Sequence, residues 1–255
     1  MEHKMLAAST LLALIAAIAG MRSVHRGHRS RWTVLWLAGA FSFQLVFLWL
    51  RGQQRQACPL SDLGEILAFL SWSLTLFYLL VGPAYRISLL GVFTAPVVVV
   101  FQSIALMPGL LDANAEASTT ANPWHEVHSA TSVLAYGALA LAAVAGVMFL
   151  VLDRQLKEHH LKSGLFRNLP PIRELLISMN RLLGVGLLLL TVGVIAGFIM
   201  PHTSDALSHL VAALCTWIAY SALWSIHRMR GLTGRRFSLA AVVLFFLSLA
   251  VFALL

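Results

Sequence analysis

Eight long apolar runs, near residues 4–21, 32–50, 64–83, 87–107, 128–152, 177–200, 206–226 and 237–255, leave this chain little freedom of architecture. Each approaches the length of about 20 residues that a helix needs to cross about 30 Å of hydrocarbon. Backbone N–H and C=O groups find no water inside a bilayer, so a spanning segment pairs them within a helix or within a closed barrel. Barrel strands alternate lipid-facing and lumen-facing side chains, and these runs show no such alternation. The expected fold is therefore all-α, a polytopic membrane bundle of eight transmembrane helices forming one integral domain over residues 1–255. Composition agrees: 59% of residues are hydrophobic and 11% charged, against roughly a quarter charged in soluble domains.

Lys and Arg set the expected orientation. Fifteen of the 18 basic residues fall in the stretches 22–31, 84–86, 153–181 and 227–236, and only Lys4, Arg51 and Arg55 fall on the opposite side. By the positive-inside rule the basic stretches are cytoplasmic, which places both termini and the loops 51–63, 108–127 and 201–205 outside. The net charge of +8 is thereby an expression of topology, and nucleic acid is not an expected partner, since no loop is long enough to present a basic surface to phosphates. The span interiors are expected to lack Asp, Glu, Lys and Arg, the usual marks of ion coupling, which argues against a small-molecule permease; the other alternative for such a bundle is a structural or regulatory membrane subunit that docks a partner and holds no cofactor.

Other classes are excluded by what the loops contain. The first run ends at Ile18-Ala19-Gly20-Met21 and is followed by Arg22, so it reads as a retained span rather than a cleaved signal. Two cysteines occur, Cys58 in an outer loop and Cys215 within the seventh run, where packing is its expected role. With no CxxC and no CxxCH, the chain carries neither a dithiol redox centre nor a covalent haem attachment motif.

Two histidines open spans on the outer side: His128 at the start of the fifth and His209 at the start of the seventh. Imidazole is a good ligand for iron, and two neutral imidazoles on neighbouring helices can hold one iron if their nitrogens stand about 4 Å apart. On a helix His128 shares its face with Ser132 and Tyr136, followed by Leu139, Ala143 and Gly146. Small residues there admit another helix or a flat macrocycle. His209 shares its face with Thr216, Trp217, Tyr220, Trp224 and His227, while Gly193 and Gly197 give the sixth span a small-xxx-small edge. A histidine near a helix mouth is equally at home bonded to water or a headgroup, so spacing alone leaves both readings open. His125 and His202 are expected in loops, and His25, His28, His159, His160 and His227 in solvated basic segments.

The run His128-Ser129-Ala130-Thr131-Ser132-Val133-Leu134-Ala135-Tyr136, leading to Asp153-Arg154-Gln155-Leu156-Lys157, resembles the H-x-x-x-S-x-x-x-Y…R-x-L-K pattern of the cytochrome c assembly family, the CcsA/CcmC superfamily. The loop Arg167-Asn168-Leu169-Pro170-Pro171-Ile172 and the placement of His209 resemble its YpjD/HemX-like branch. The resemblance implies external histidines that hold haem near the outer face, with His128 the first ligand and His209 the second. It implies Ser132 and Tyr136 as further cofactor-binding residues. It also implies a haem-binding factor, without turnover chemistry of its own, that supports cytochrome c assembly or haem delivery in the bacterial plasma membrane. The expected partners are membrane lipid, haem and other cytochrome assembly proteins. One departure stands out: the tryptophan-rich W-G-x-x-W-x-W-D motif of haem-handling members is replaced by Met200-Pro201-His202-Thr203-Ser204-Asp205, so ligase activity does not carry over with the resemblance.

Overall fold

The computed structural model describes residues 2–26, 32–84, 88–111, 123–157, 172–200 and 206–254, excluding the side chains of 83, 84, 88, 172, 206–209 and 251–254. The described residues form eight α-helices and no strand: α1 (Glu2–His25), α2 (Trp32–Arg55), α3 (Leu63–Ala84), α4 (Ser88–Ala105), α5 (Pro123–Lys157), α6 (Ile172–Ile199), α7 (Ala206–Arg230) and α8 (Gly234–Leu254). Six of them (α1, α2, α3, α5, α6 and α7) are long and apolar enough to cross a bilayer, and Leu89–Ala105 within α4 is a shorter apolar stretch. The chain is thus a polytopic helical membrane protein. "Outer" denotes below the end of the bundle that is poor in Lys and Arg.

The helices pack in two groups of four. In the first, α1 packs on α2 and α4, and α3 packs on α2 and α4. In the second, α5 packs on α6 and α8, and α7 packs on α6 and α8. The groups are joined by α5, which also lies against α3 and, less extensively, α4. That shared position explains its sequence. A helix with neighbours on most sides cannot be amphipathic, and residues 137–146 of α5, rich in alanine, are buried without interruption. Close approach relies on glycine. A Cβ at Gly137 would stand 2.0 Å from Ser73 Oγ and 3.0 Å from the Ser73 carbonyl carbon, and one at Gly146 would stand 3.1 Å from the Ser238 carbonyl oxygen of α8. The small face of α5 is therefore filled by helices: Gly146 receives α8, and Leu139 fits against Gly186 of α6.

Two expectations about element limits change, and one about packing. The fifth element begins at Pro123, so His128 lies in the second turn of a helix rather than at its mouth, and His125 is a first-turn helical residue, exposed, rather than a loop residue. The 35 residues of α5 correspond to about 52 Å of helix, well beyond about 30 Å of hydrocarbon. The second element continues through Arg51 to Arg55, both of which the sequence places in a loop. Cys215 is exposed on α7 rather than packed inside.

Arg51 and Arg55 remain helical because their charges are answered. Arg51, 1% exposed, donates from Nε to Glu65 Oε1 at 2.6 Å, from Nη1 to Glu2 Oε1 at 2.9 Å and from Nη2 to Asp62 Oδ2 at 3.3 Å. Arg55 donates from Nε to the same Glu65 oxygen at 2.6 Å and from Nη2 to Asp62. The other Glu65 oxygen accepts from the Ser61 and Asp62 backbone N–H groups at 3.0 and 3.4 Å. This capping contact fixes the first turn of α3. The carboxylates of Glu2 and Glu65 sit in first turns and Arg55 in a last turn, each matching the helix dipole. Inward from this cluster, Gln44 donates to Ser71 Oγ at 3.5 Å and Gln102 to Ser9 Oγ at 2.9 Å, so the interior of the first group is partly polar.

Candidate functional site

His128 projects from α5 onto the glycine edge of α6. Its Nδ1 lies 2.7 Å from the Gly193 carbonyl oxygen. A carbonyl only accepts, so Nδ1 carries the proton and donates, and the Nε2 lone pair is left unprotonated in the neutral ring. His128 is half-buried, and its ring makes no second protein hydrogen bond among the described residues. An imidazole whose one nitrogen is anchored to a carbonyl, with the other unspent, is the arrangement in which histidine serves as a metal ligand.

The edge exists because positions 193 and 197 have no side chain. A Cβ at Gly193 would stand 2.7 Å from Ser132 Oγ, and one at Gly197 would stand 3.0 Å from His128 Nδ1. The same position at Gly197 would be 3.4 Å from Leu210 Cδ1 of α7. His128 and the residue that follows His209 therefore converge on one glycine. The His209 side chain lies outside the described residues, as does all of His202, so of the two expected ligands the structure describes His128 in full and His209 only as a first-turn position of α7.

Below His128 a seam of hydroxyls runs between the four helices of the second group. Ser132 packs against Gly193, while Tyr136 turns toward α8, its hydroxyl 3.5 Å from the Ser248 carbonyl oxygen. Trp217 Nε1 donates to Thr191 Oγ1 at 2.9 Å, and Tyr220 Oη lies 3.5 Å from Ser248 Oγ. A small cavity beside Ser132 and Tyr136 measures about 20 Å³, room for about one water. That cavity is too small for a macrocycle.

The remaining candidates separate clearly. His227 is not a solvated loop residue: its ring stacks on Phe237 with centroids 3.8 Å apart, and its Nδ1 is buried without a hydrogen-bond partner among the described residues. Cys58 is half-buried, and burial together with the negative charges of Glu126 and Glu65 pushes its thiol up to about 11. Among the described residues no three His, Cys, Asp or Glu side chains cluster as metal ligands. Sequence reasoning missed the Arg51–Glu65–Asp62–Glu2 cluster. The available signal was the i, i+4 spacing of Arg51 and Arg55 opposite Asp62 and Glu65 across a short turn.

Residues 60–254 match the family described as cytochrome C assembly protein. The chain belongs to that family. Relatives extend the match to the N-terminal helices. A cytochrome c biogenesis protein CcsA of Synechococcus sp. (strain CC9902) is 30% identical, over 92% of this chain and 87% of its own length. The CcsA protein of Synechococcus sp. (strain CC9605) is 29% identical over 91% and 85% respectively, and that of Guillardia theta 26% identical over 70% and 66%. For this family member a role in cytochrome c biogenesis as a membrane assembly factor follows. The matched region covers α5 to α8 with the His128 edge, and α3 and α4 besides.

Proposed function

We propose that this protein binds haem non-covalently at its outer face, where His128 and His209 would hold the iron, and supports haem delivery or cytochrome c maturation in the bacterial plasma membrane together with other assembly proteins. The observation that carries the reading is the 2.7 Å bond from His128 Nδ1 to the Gly193 carbonyl, which commits one nitrogen to the scaffold and leaves the other with a lone pair. Haem, when bound, supplies an iron that accepts imidazole nitrogen. What the chain contributes is position. α6 fixes the ring through Gly193, Gly197 gives it space, and Ser132 with Tyr136 ties α5 to α6 and α8 beneath it. Leu210 at Gly197 brings the start of α7, and with it His209, to the same edge.

Absorption spectra of detergent-purified protein at matched membrane expression test this. His128→Ala and His209→Ala should each abolish or sharply weaken a low-spin haem spectrum, with His125→Ala and His202→Ala close to wild type. Gly197→Ala should act like a milder His128→Ala, since the new methyl displaces the ring from its carbonyl. Unchanged spectra in both His128→Ala and His209→Ala would remove the bis-histidine site. The outer placement rests on the distribution of basic residues, so a reporter after Leu255 should read as extracytoplasmic and one at Lys162 as cytoplasmic; the reverse would put the site on the wrong side.

A further inference from the structure

A groove of about 490 Å³ lies where the two helix groups fail to close on each other, walled by α1, α4, α5 and α8. The groups meet closely through α3 and α5 and more lightly through α4 and α5, while α1 and α8 share at most isolated contacts. Every lining residue is hydrophobic, among them Met21, Val97, Val100, Ala143, Val147 and Phe245. No hydrogen-bonding side chain enters it, which excludes a polar solute, and Met21 is the one lining residue with a metal-ligating atom. The α4 wall runs from Val92 to Phe101, about 14 Å along a helix, or roughly half of the hydrocarbon thickness. The groove thus has the depth of a single leaflet. It starts at Met21 and Val24 in the last turns of α1, where Arg22 and Arg26 are exposed at the basic-rich end.

We infer that this groove binds one acyl chain of an anionic phospholipid from the basic-rich leaflet, with the headgroup phosphate at Arg22. Depth, hydrocarbon lining and a cationic rim coincide there, and a guanidinium matches phosphate better than it matches a zwitterionic or neutral headgroup. The chain fills the seam between the two groups and thereby completes the packing that α1 and α8 leave open.

The test is native mass spectrometry of the full chain released from nanodiscs containing equal parts phosphatidylglycerol and phosphatidylcholine. Wild type should retain one phosphatidylglycerol through detergent washing. Val100→Trp, at a groove-wall residue that is 53% exposed, should reduce retention by about tenfold, a change of about 1.4 kcal/mol. Val147→Phe, a smaller insertion into the same groove, should act in the same direction. Arg22→Gln should keep a bound lipid but equalise the two headgroup classes. Leu188→Trp on α6, away from the groove, should leave retention unchanged. Equal retention in Val100→Trp, Val147→Phe and Leu188→Trp, no headgroup preference in wild type, or a retained quinone or haem in place of phospholipid would each overturn the assignment.

Discussion

The two four-helix groups reach the same outer surface with opposite chemistry. The first ends in five ionised side chains arranged so that two guanidiniums answer three carboxylates. Among the described residues, the second presents there the half-buried imidazole of His128, resting on glycine. A buried charge network is held by mutual need: its members cannot leave without exposing the others to low dielectric. A neutral ring held by one hydrogen bond retains a lone pair for something else. Charge density near the outer surface therefore marks where the bundle is fastened, and the sparsely charged end is where the proposed haem site lies.

The largest expected effect falls on the fastened end. Arg51→Ala leaves Glu65, Asp62 and Glu2 facing one another with only Arg55, and the loss of a buried ion partner typically costs about 3–5 kcal/mol. Thermal denaturation in detergent should show it, and Glu2→Gln, which spares Glu65 and both arginines, should be milder. A variant as stable as wild type would mean the cluster is not what holds α1, α2 and α3 together. Next is the joint between the groups. Gly137→Ala forces a methyl onto Ser73, and overpacking of this kind costs about 1–3 kcal/mol; Gly137→Ala combined with Ser73→Ala should recover part of it. Failure of that rescue would move the strain elsewhere. The smallest effect concerns Cys58. With its thiol raised to about 11, it is almost entirely protonated at neutral pH, and the thiolate is the reactive form. Maleimide labelling should be slow at pH 8 and accelerate continuously toward pH 11, whereas Cys215, on the lipid-facing surface, should discriminate between membrane-permeant and impermeant reagents. Rapid labelling of Cys58 at pH 7 would contradict its shielded setting beside Glu65 and Glu126.

Much of this was legible in the chain itself. Hydropathy located all eight helices, because in lipid the choice of helix is forced by backbone hydrogen bonding and hardly by side-chain detail. The small-xxx-small edge at Gly193 and Gly197 and the shared face of His128 and Ser132 were also readable, since both follow from helical periodicity. The limits of α2 were not. Arg51 reads as a loop residue by its charge; Asp62 and Glu65, 11 and 14 positions away across a short turn, are within reach of a charge pattern, whereas Glu2, 49 positions away, comes to it only through the packing of α1 on α2. Gly193 as the acceptor for His128 was hidden for the same reason: periodicity gives a face, while the partner of that face comes from packing 65 residues away. The stack of His227 on Phe237 reverses a solvated reading because α8 folds back immediately after the turn at Gly231, whose φ of +62° only glycine adopts freely.

The position of α5 also orders biosynthesis. With a mean hydropathy of 2.3, its 18-residue core can partition into the bilayer as soon as it leaves the ribosome, yet 78% of that core is covered in the finished protein. Its covering arrives in three steps. The α3 and α4 faces are already waiting, α6 follows and packs on it most extensively, and α8 emerges roughly 80 residues after α5, or several seconds at typical synthesis rates. During that interval Ala143 and Gly146 face lipid instead of protein. A ribosome stalled before α8 would leave an inserted intermediate whose central helix is covered by α3, α4 and α6 but bare on the side that receives α8, the form in which a membrane quality-control protease would meet this chain.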